Sequence, residues 1–284
     1  MAISFPQLRG ARCQCNADEA SQDGDVTMPD DMILRELKDG VLALTLNRPK
    51  ANAFDSPMVA QLQGMFKDAK RDDAVRVVLL KANGKLFSAG QDVTEFGGSG
   101  HTNFRAHLQK NYNPLILQMR QLEKPILAAI QGAAAGAALG IVLACDLRIG
   151  SPEARFVVGF GGIGLAPDSA VSLMLPKVIG LGRAAHATFF NDPISADQAL
   201  EWGLLNAVAP AEELEKTAWE WALKLAKGPT YAMGISKRDF NKAVLPNLED
   251  VLDYEAHNQD VAANGTDHKE GLAAFLEKRE PKWH

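Results

Sequence analysis

The sequence is poor in the residues that build metal and disulfide sites. Three cysteines in 284 residues, Cys13, Cys15 and Cys145, supply neither paired CxxC ligands nor a disulfide framework. The six histidines are scattered and form no HExxH pair, so no metal is expected and a reducing compartment is the default. A charge excess of one sign is also missing: 30 basic against 35 acidic residues leave a net charge of -5, without the basic surplus of a nucleic-acid binder. A GxSxG elbow is absent, which disfavours a serine hydrolase. No tandem repeat or low-complexity linker divides the chain. With 46% apolar and 23% charged residues, it is long enough for one large domain or two moderate ones around a packed core.

Only one long hydrophobic run occurs, ILAAIQGAAAGAALGIVLAC at 126–145. It carries no charge, and Gly132, Gly136 and Gly140 follow a four-residue spacing, as in a membrane helix. Half of it is Ala or Gly, and segments with charges surround it, so it reads instead as a buried strand followed by a buried helix. No membrane partner is expected. Near the start, apolar patches around Phe5 and Leu8 give way to Asp18, Glu19, Asp23, Asp25, Asp30 and Asp31, unlike a secretory or transit peptide. The expectation is a cytoplasmic protein with a disordered tail over 1–31.

From residue 32 the signals alternate. Met32–Lys38 and Val41–Leu46 read as strands around Asp39-Gly40, a dipeptide suited to a type I' turn. Ser56-Pro57 reads as an N-cap and first helical residue, followed by an apolar face of Met58, Leu62, Met65 and Phe66. Val75–Leu80 and Ile126–Ile130 are continuous apolar strands, as expected where both sheet faces are covered. Short strands are expected at Ile149, Phe156–Val158 and Leu204–Val208. Helices are expected at 169–179, 183–190, 196–202, 211–227, 230–244, 248–263 and 267–278. This gives an α/β chain with a helical last hundred residues.

Several motifs invite chemistry. Gly159 to Gly164 satisfies GxGxxG, but Leu165, Ala166 and Pro167 follow, so no helix can run from the turn to meet a pyrophosphate. Lone His107 and His186 read as surface or core residues. More informative are Gly84–Asp92 and Gln131–Gly140. Each follows a strand with a turn of small residues, which leaves backbone N–H groups free to converge on one oxygen.

Taken in order, NRPKANAF (47–54), GKLFSAGQDV (84–93), KPILAAIQGAAAGAALGIVLACDL (124–147), GIGLAPDSAVSLMLPKVIG (162–180), ISADQALEWGLLNAV (194–208) and EGLAAFLEKREP (270–281) resemble the crotonase superfamily of enoyl-CoA hydratases and isomerases. The resemblance covers about residues 32–282. It implies an α/β spiral of ββα turns over 32–210 and a helical trimerisation region over 211–284, giving a homotrimer or a hexamer as a dimer of trimers. It also implies an acyl-CoA thioester as substrate, with no separate cofactor.

The same resemblance assigns an oxyanion hole to the N–H groups of Gln91 and Ala137, the latter within Gly136-Ala137-Ala138 in place of three glycines. Lys50, Ala51, Ser88, Gln91, Phe160 and Lys278 are the implied substrate and CoA contacts, and NRPKANAF is one residue shorter than the usual spacing. The two glutamates that hold water in the hydratases fall here on Gly140 and Phe160, neither of which can take a proton. At the position of the isomerases' carboxylate stands Asp168, which its local sequence also supports as the N-cap of a helix starting at Ser169, the catalytic role being favoured. In the family's aryl-CoA dehalogenases that Asp is a nucleophile helped by a His and a Trp, matched here by Asn113 and Phe160. Phe104, Leu108, Tyr112 and Leu115 would line the acyl pocket or pack beneath it, and Gly97, Gly98 and Gly100 suggest a covering loop.

The favoured expectation is double-bond migration in an enoyl-CoA, with Asp168 moving the proton. Open alternatives are a hydratase or hydrolase positioning water through a group such as Asn113, and a non-catalytic CoA-binding protein.

Overall fold

The computed structural model describes residues 32–49, 51–96 and 103–283. The expected tail, Lys50 and the covering loop at Gly97, Gly98 and Gly100 lie outside the described residues.

The chain opens with a hairpin of β1 (Ile33–Lys38) and β2 (Val41–Leu46). Asp39 at φ 51° and Gly40 at φ 80° are both left-handed, as a type I' turn requires. After α1 (Ser56–Arg71) come β3 (Val77–Ala82), α2 (Phe104–Lys110), α3 (Tyr112–Gln121) and β4 (Ile126–Ile130). β5 (Ala133–Ala135), α4 (Ala137–Ala144), β6 (Leu147–Gly150) and β7 (Arg155–Val157) follow. Next are α5 (Val171–Ile179), α6 (Leu181–Phe189), β8 (Ile194–Ser195), α7 (Ala196–Glu201) and β9 (Ala207–Val208). The chain closes with α8 (Leu214–Ala226), α9 (Thr230–Val244), α10 (Leu248–Ala263) and α11 (Thr266–Glu277).

The main sheet has the order β1-β2-β3-β4-β6-β9, parallel except for the first pair, and β5-β7-β8 form a second, smaller sheet. Alternate residues of the central strands serve two cores, as the period of a strand dictates. Leu42, Leu44, Val78, Leu80, Ile126 and Ala128 face the larger core with α1, α3 and α4. Val41, Val77, Leu79, Leu127 and Ala129 face α8 through Leu214, Ala218 and Ala222. The 126–145 run is therefore strand, short strand and helix inside the protein, and no helix among the described residues is long and apolar enough to cross a membrane. Burial pushes the Cys145 thiol up to about 12, leaving it inert.

Three boundaries correct the sequence reading. The N-cap of α1 is Asp55, whose extended backbone lets its carboxylate accept the Met58 N–H at 2.9 Å; Ser56 is already helical. The expected strand at Val75–Leu80 is shifted to Val77–Ala82, because Val75 and Arg76 turn back onto Asp72 and Gly40. The expected helix at 169–179 begins only at Val171, because Ser169 and Ala170 are left-handed, at φ 55° and 63°. That last difference shapes the site.

Candidate active site

Two loops meet beyond the strand ends. Ser88 pairs with the stretch after β4, donating its N–H to Ala133 O at 3.0 Å and accepting from the Ala135 N–H at 3.1 Å. Three residues on, Phe54 donates to Gly90 O at 2.7 Å and accepts from the Asp92 N–H at 2.8 Å, so the intervening Gln91 N–H faces away from Phe54. Ala137 opens α4, where a first-turn N–H has no partner in its own helix. Gly136 before it lies at φ 57° and ψ -126°, a turn that a side chain would strain. Among the described residues neither the Gln91 nor the Ala137 N–H donates to another group. Both residues line one cavity of about 510 Å³.

Asp168 lines the same cavity and is only 6% exposed. Its Oδ1 accepts the Ser169 hydroxyl and its Oδ2 accepts the Gln259 amide, both at 2.7 Å. Burial pushes its carboxyl up to about 6, against the opposing effect of those two bonds. The capping alternative for Asp168 falls away: its side chain accepts no N–H of α5. Glu255 on α10 does that work from across the fold, accepting the N–H groups of Ala170 at 2.7 Å and Ser172 at 3.0 Å as well as the Ser172 hydroxyl. Burial pushes Glu255 up to about 7.

The opposite wall is a polar network. The Tyr112 hydroxyl donates to Gln91 Oε1 at 2.6 Å, and His107 Nε2 lies 3.2 Å from the same oxygen. The Asn111 amide nitrogen sits 3.1 Å from His107 Nδ1, which places the imidazole proton on Nε2, toward Gln91. Burial lowers the proton affinity of His107, keeping it neutral. Asp92 also borders the cavity, but it accepts the Thr94 hydroxyl at 2.6 Å and pairs with Arg48 at 2.8 Å. Those contacts, the Thr94 bond foremost, hold its carboxyl below the usual range.

The structure thus brings Gln91, Ala137, Asp168 and Phe160 to one cavity, which Phe104, Leu108 and Tyr112 also line. Leu115 does not reach it and packs in the core. Asn113 donates its amide to Leu252 O at 3.1 Å, an anchor for α10 that leaves it away from the cavity. Ser88 is fully buried, its hydroxyl donating to Asn52 O at 2.7 Å, and is placed to hold the loop. Ala51 is exposed at φ 56° and Lys278 is exposed at the end of α11, and neither borders the cavity. After Gly159 the chain makes only a short 3-10 turn, Phe160–Ile163, so the GxGxxG match has no dinucleotide helix.

Gln259 and Glu255 went unread in the sequence, 91 and 85 residues from their partners. A signal existed: Leu248, Leu252, Glu255, Ala256 and Gln259 share the buried stripe of α10, and two polar residues on such a stripe demand partners.

Comparison with known proteins identifies the family. The enoyl-CoA hydratase/isomerase family matches residues 36–284. The 1,2-epoxyphenylacetyl-CoA isomerase of Escherichia coli is 37% identical over 257 residues, which cover 89% of this chain and 98% of that protein. A trans-2-decenoyl-[acyl-carrier-protein] isomerase of Streptococcus mutans is 32% identical, covering 88% and 97%. The crystal structure of an enoyl-CoA hydratase from Mycobacterium avium subsp. paratuberculosis matches with a TM-score of 0.82 at 32% identity, covering 90% of this chain and 100% of that one. The family match over nearly the whole described chain, the identity to these relatives and the shared fold make the chain a member of the enoyl-CoA hydratase/isomerase family, within the crotonase superfamily.

Proposed function

We propose that this acyl-CoA enzyme is an isomerase that moves a double bond in an enoyl-CoA, from the 3-enoyl to the 2-enoyl thioester. The observation that carries the reading is Asp168, buried in the cavity with no cation partner among the described residues and pushed up to about 6. In the proposed step Asp168 takes a proton from C2, and the C2 electron pair delocalises into the thioester. The resulting dienolate oxygen accepts the N–H groups of Gln91 and Ala137. Asp168 returns the proton at C4, so nothing is added or lost. Each N–H donor of this kind is typically worth about 2.7–4 kcal/mol in the transition state. Burial in a cavity that Phe160 and Leu165 also line raises the carboxylate's basicity toward neutral pH.

Two features disfavour water addition. The positions that the resemblance assigns to the hydratases' two glutamates hold Gly140 and Phe160, and the other carboxylate on the cavity wall, Asp92, is tied to Arg48. Two relatives that are named isomerases lend further support.

The deciding experiment follows conjugation and hydration separately with 3-enoyl-CoA and 2-enoyl-CoA. Conjugation without hydration is expected, and hydration without conjugation would refute the isomerase. The base must be ionised to act, so kcat/KM is expected to climb as pH rises through about 6 and then level off. A profile flat from pH 5 to 8 would remove Asp168 as the base. We also infer that the chain assembles as a trimer, which leaves a reason for the exposed Leu181, Phe189, Phe190 and Phe240. Light scattering of the purified protein tests this, and a monomer would contradict it.

A further inference from the structure

Asp168 does not owe its position to its own loop. The donor to Oδ2 belongs to α10, and Gln259 is itself buried, at 1% exposure. The other end of that amide is engaged too, since Gln259 Oε1 accepts the Ala166 N–H at 3.2 Å. With the oxygen held by a backbone donor, the nitrogen must face Asp168, and an amide nitrogen can only donate. The Ser169 hydroxyl on Oδ1 is different, because it can turn and accept once the carboxyl carries a proton. One helical turn before Gln259, Glu255 grips Ala170 and Ser172. Helix α10 therefore holds both sides of the left-handed pair Ser169-Ala170.

We propose that Gln259 is a positioning residue for the proton transfer: its amide pins Oδ2 of Asp168 and favours the ionised base in a cavity whose burial favours the neutral acid. The proposal rests on the reading of Asp168 as the base. Gln259 neither gains nor loses a proton. A hydrogen bond to a charged oxygen is stronger than one to a neutral carboxyl, so the amide opposes desolvation.

The other titratable groups around Asp168 are Tyr112 from α3, Glu255 from α10, and, along the cavity wall, His107 from α2 and Asp92. Tyr112 is pushed up by its burial and then by the Asp168 charge, and stays neutral. His107 is held neutral by burial and Asp92 ionised by Thr94 and Arg48. Glu255 ionises in the same range as Asp168 and needs its own control, Glu255→Gln.

The test is a carbon-13 titration of the Asp168 carboxyl in the full-length protein, assigned by its loss in Asp168→Asn. Gln259→Met removes the donor. Gln259→Glu keeps the size and the acceptor for Ala166 but turns the donor into a second acid. In Gln259→Met the Asp168 midpoint is expected to move up by about one pH unit, a tenfold gain in proton affinity, and in Gln259→Glu the two carboxyls are expected to titrate as a coupled pair with one step above the wild-type midpoint. The acid limb of kcat should move with it while KM stays within about twofold, since the carboxylate and not CoA binding is affected. If Gln259→Met does not fold, Gln259→Glu decides. A midpoint within about 0.3 unit of wild type overturns the proposal, even if the variant melts earlier, because a merely structural residue behaves that way. The titration needs no substrate, so failure of the isomerase reading shows in wild-type turnover and failure of this one in the midpoint.

Discussion

Asp168→Asn is expected to lower kcat for double-bond migration by about 10²- to 10⁴-fold, the usual contribution of a positioned base, with little change in KM. The same substitution should make the protein more stable above pH 6. The carboxyl is raised from an ordinary 3.8 to about 6, so the folded state binds this proton more tightly than the unfolded chain does. Its contribution to stability is complete below pH 4 and is lost as pH rises through 6. The difference corresponds to about 3 kcal/mol above that range. Asn escapes it. The substitute can accept from Gln259 through its oxygen and donate to the Ser169 hydroxyl through its nitrogen, so no new buried group is orphaned. Urea unfolding at pH 4 and pH 8, run beside the turnover assay, checks both halves. Retained turnover removes Asp168 from the mechanism. A variant no more stable than wild type at pH 8 would mean that ionising this carboxyl carries no such penalty.

The second large effect is at Gly140. An added Cβ there would lie 2.5 Å from Ser169 O and 2.6 Å from Ser169 Cβ, closer than atoms in a packed interior approach. The resemblance to the family's hydratases places a glutamate at this position, whereas here the left-handed turn after Asp168 fills that space. Gly140→Ala is therefore expected to lose about 1–3 kcal/mol of stability through overpacking, and to lose turnover because Ser169 is bonded to Asp168. Gly140→Glu should destabilise further and gain no hydration of 2-enoyl-CoA. Urea unfolding and a hydration assay measure the two outcomes. A well-folded Gly140→Glu that hydrates would show that the missing glutamate alone separates this site from a hydratase.

Much of this was legible in the chain. The hairpin at Asp39-Gly40 was readable because only certain dipeptides accept two left-handed residues in a row. The strands around Val77 and Ile126 were readable because a strand covered on both faces has no polar side, and the helices of the last hundred residues because of their spacing. The errors were local. Asp55 displaced Ser56 as a cap, and α5 started late, because capping depends on backbone angles that neighbouring residue types do not determine.

Within the site, the small-residue turns marked the segments 84–92 and 131–140, and the family resemblance pointed to Gln91, Ala137 and Asp168, all three of which line the cavity. What the chain could not announce is which environment Asp168 enters. Its burial, the Gln259 amide 91 residues away and the grip of the α10 carboxylate Glu255 on the start of α5 exist only once α10 packs against that loop. Sequence determines the chemical groups and their local geometry. Proton affinity depends on the solvent and partners removed or supplied by distant segments, and that only the tertiary structure decides.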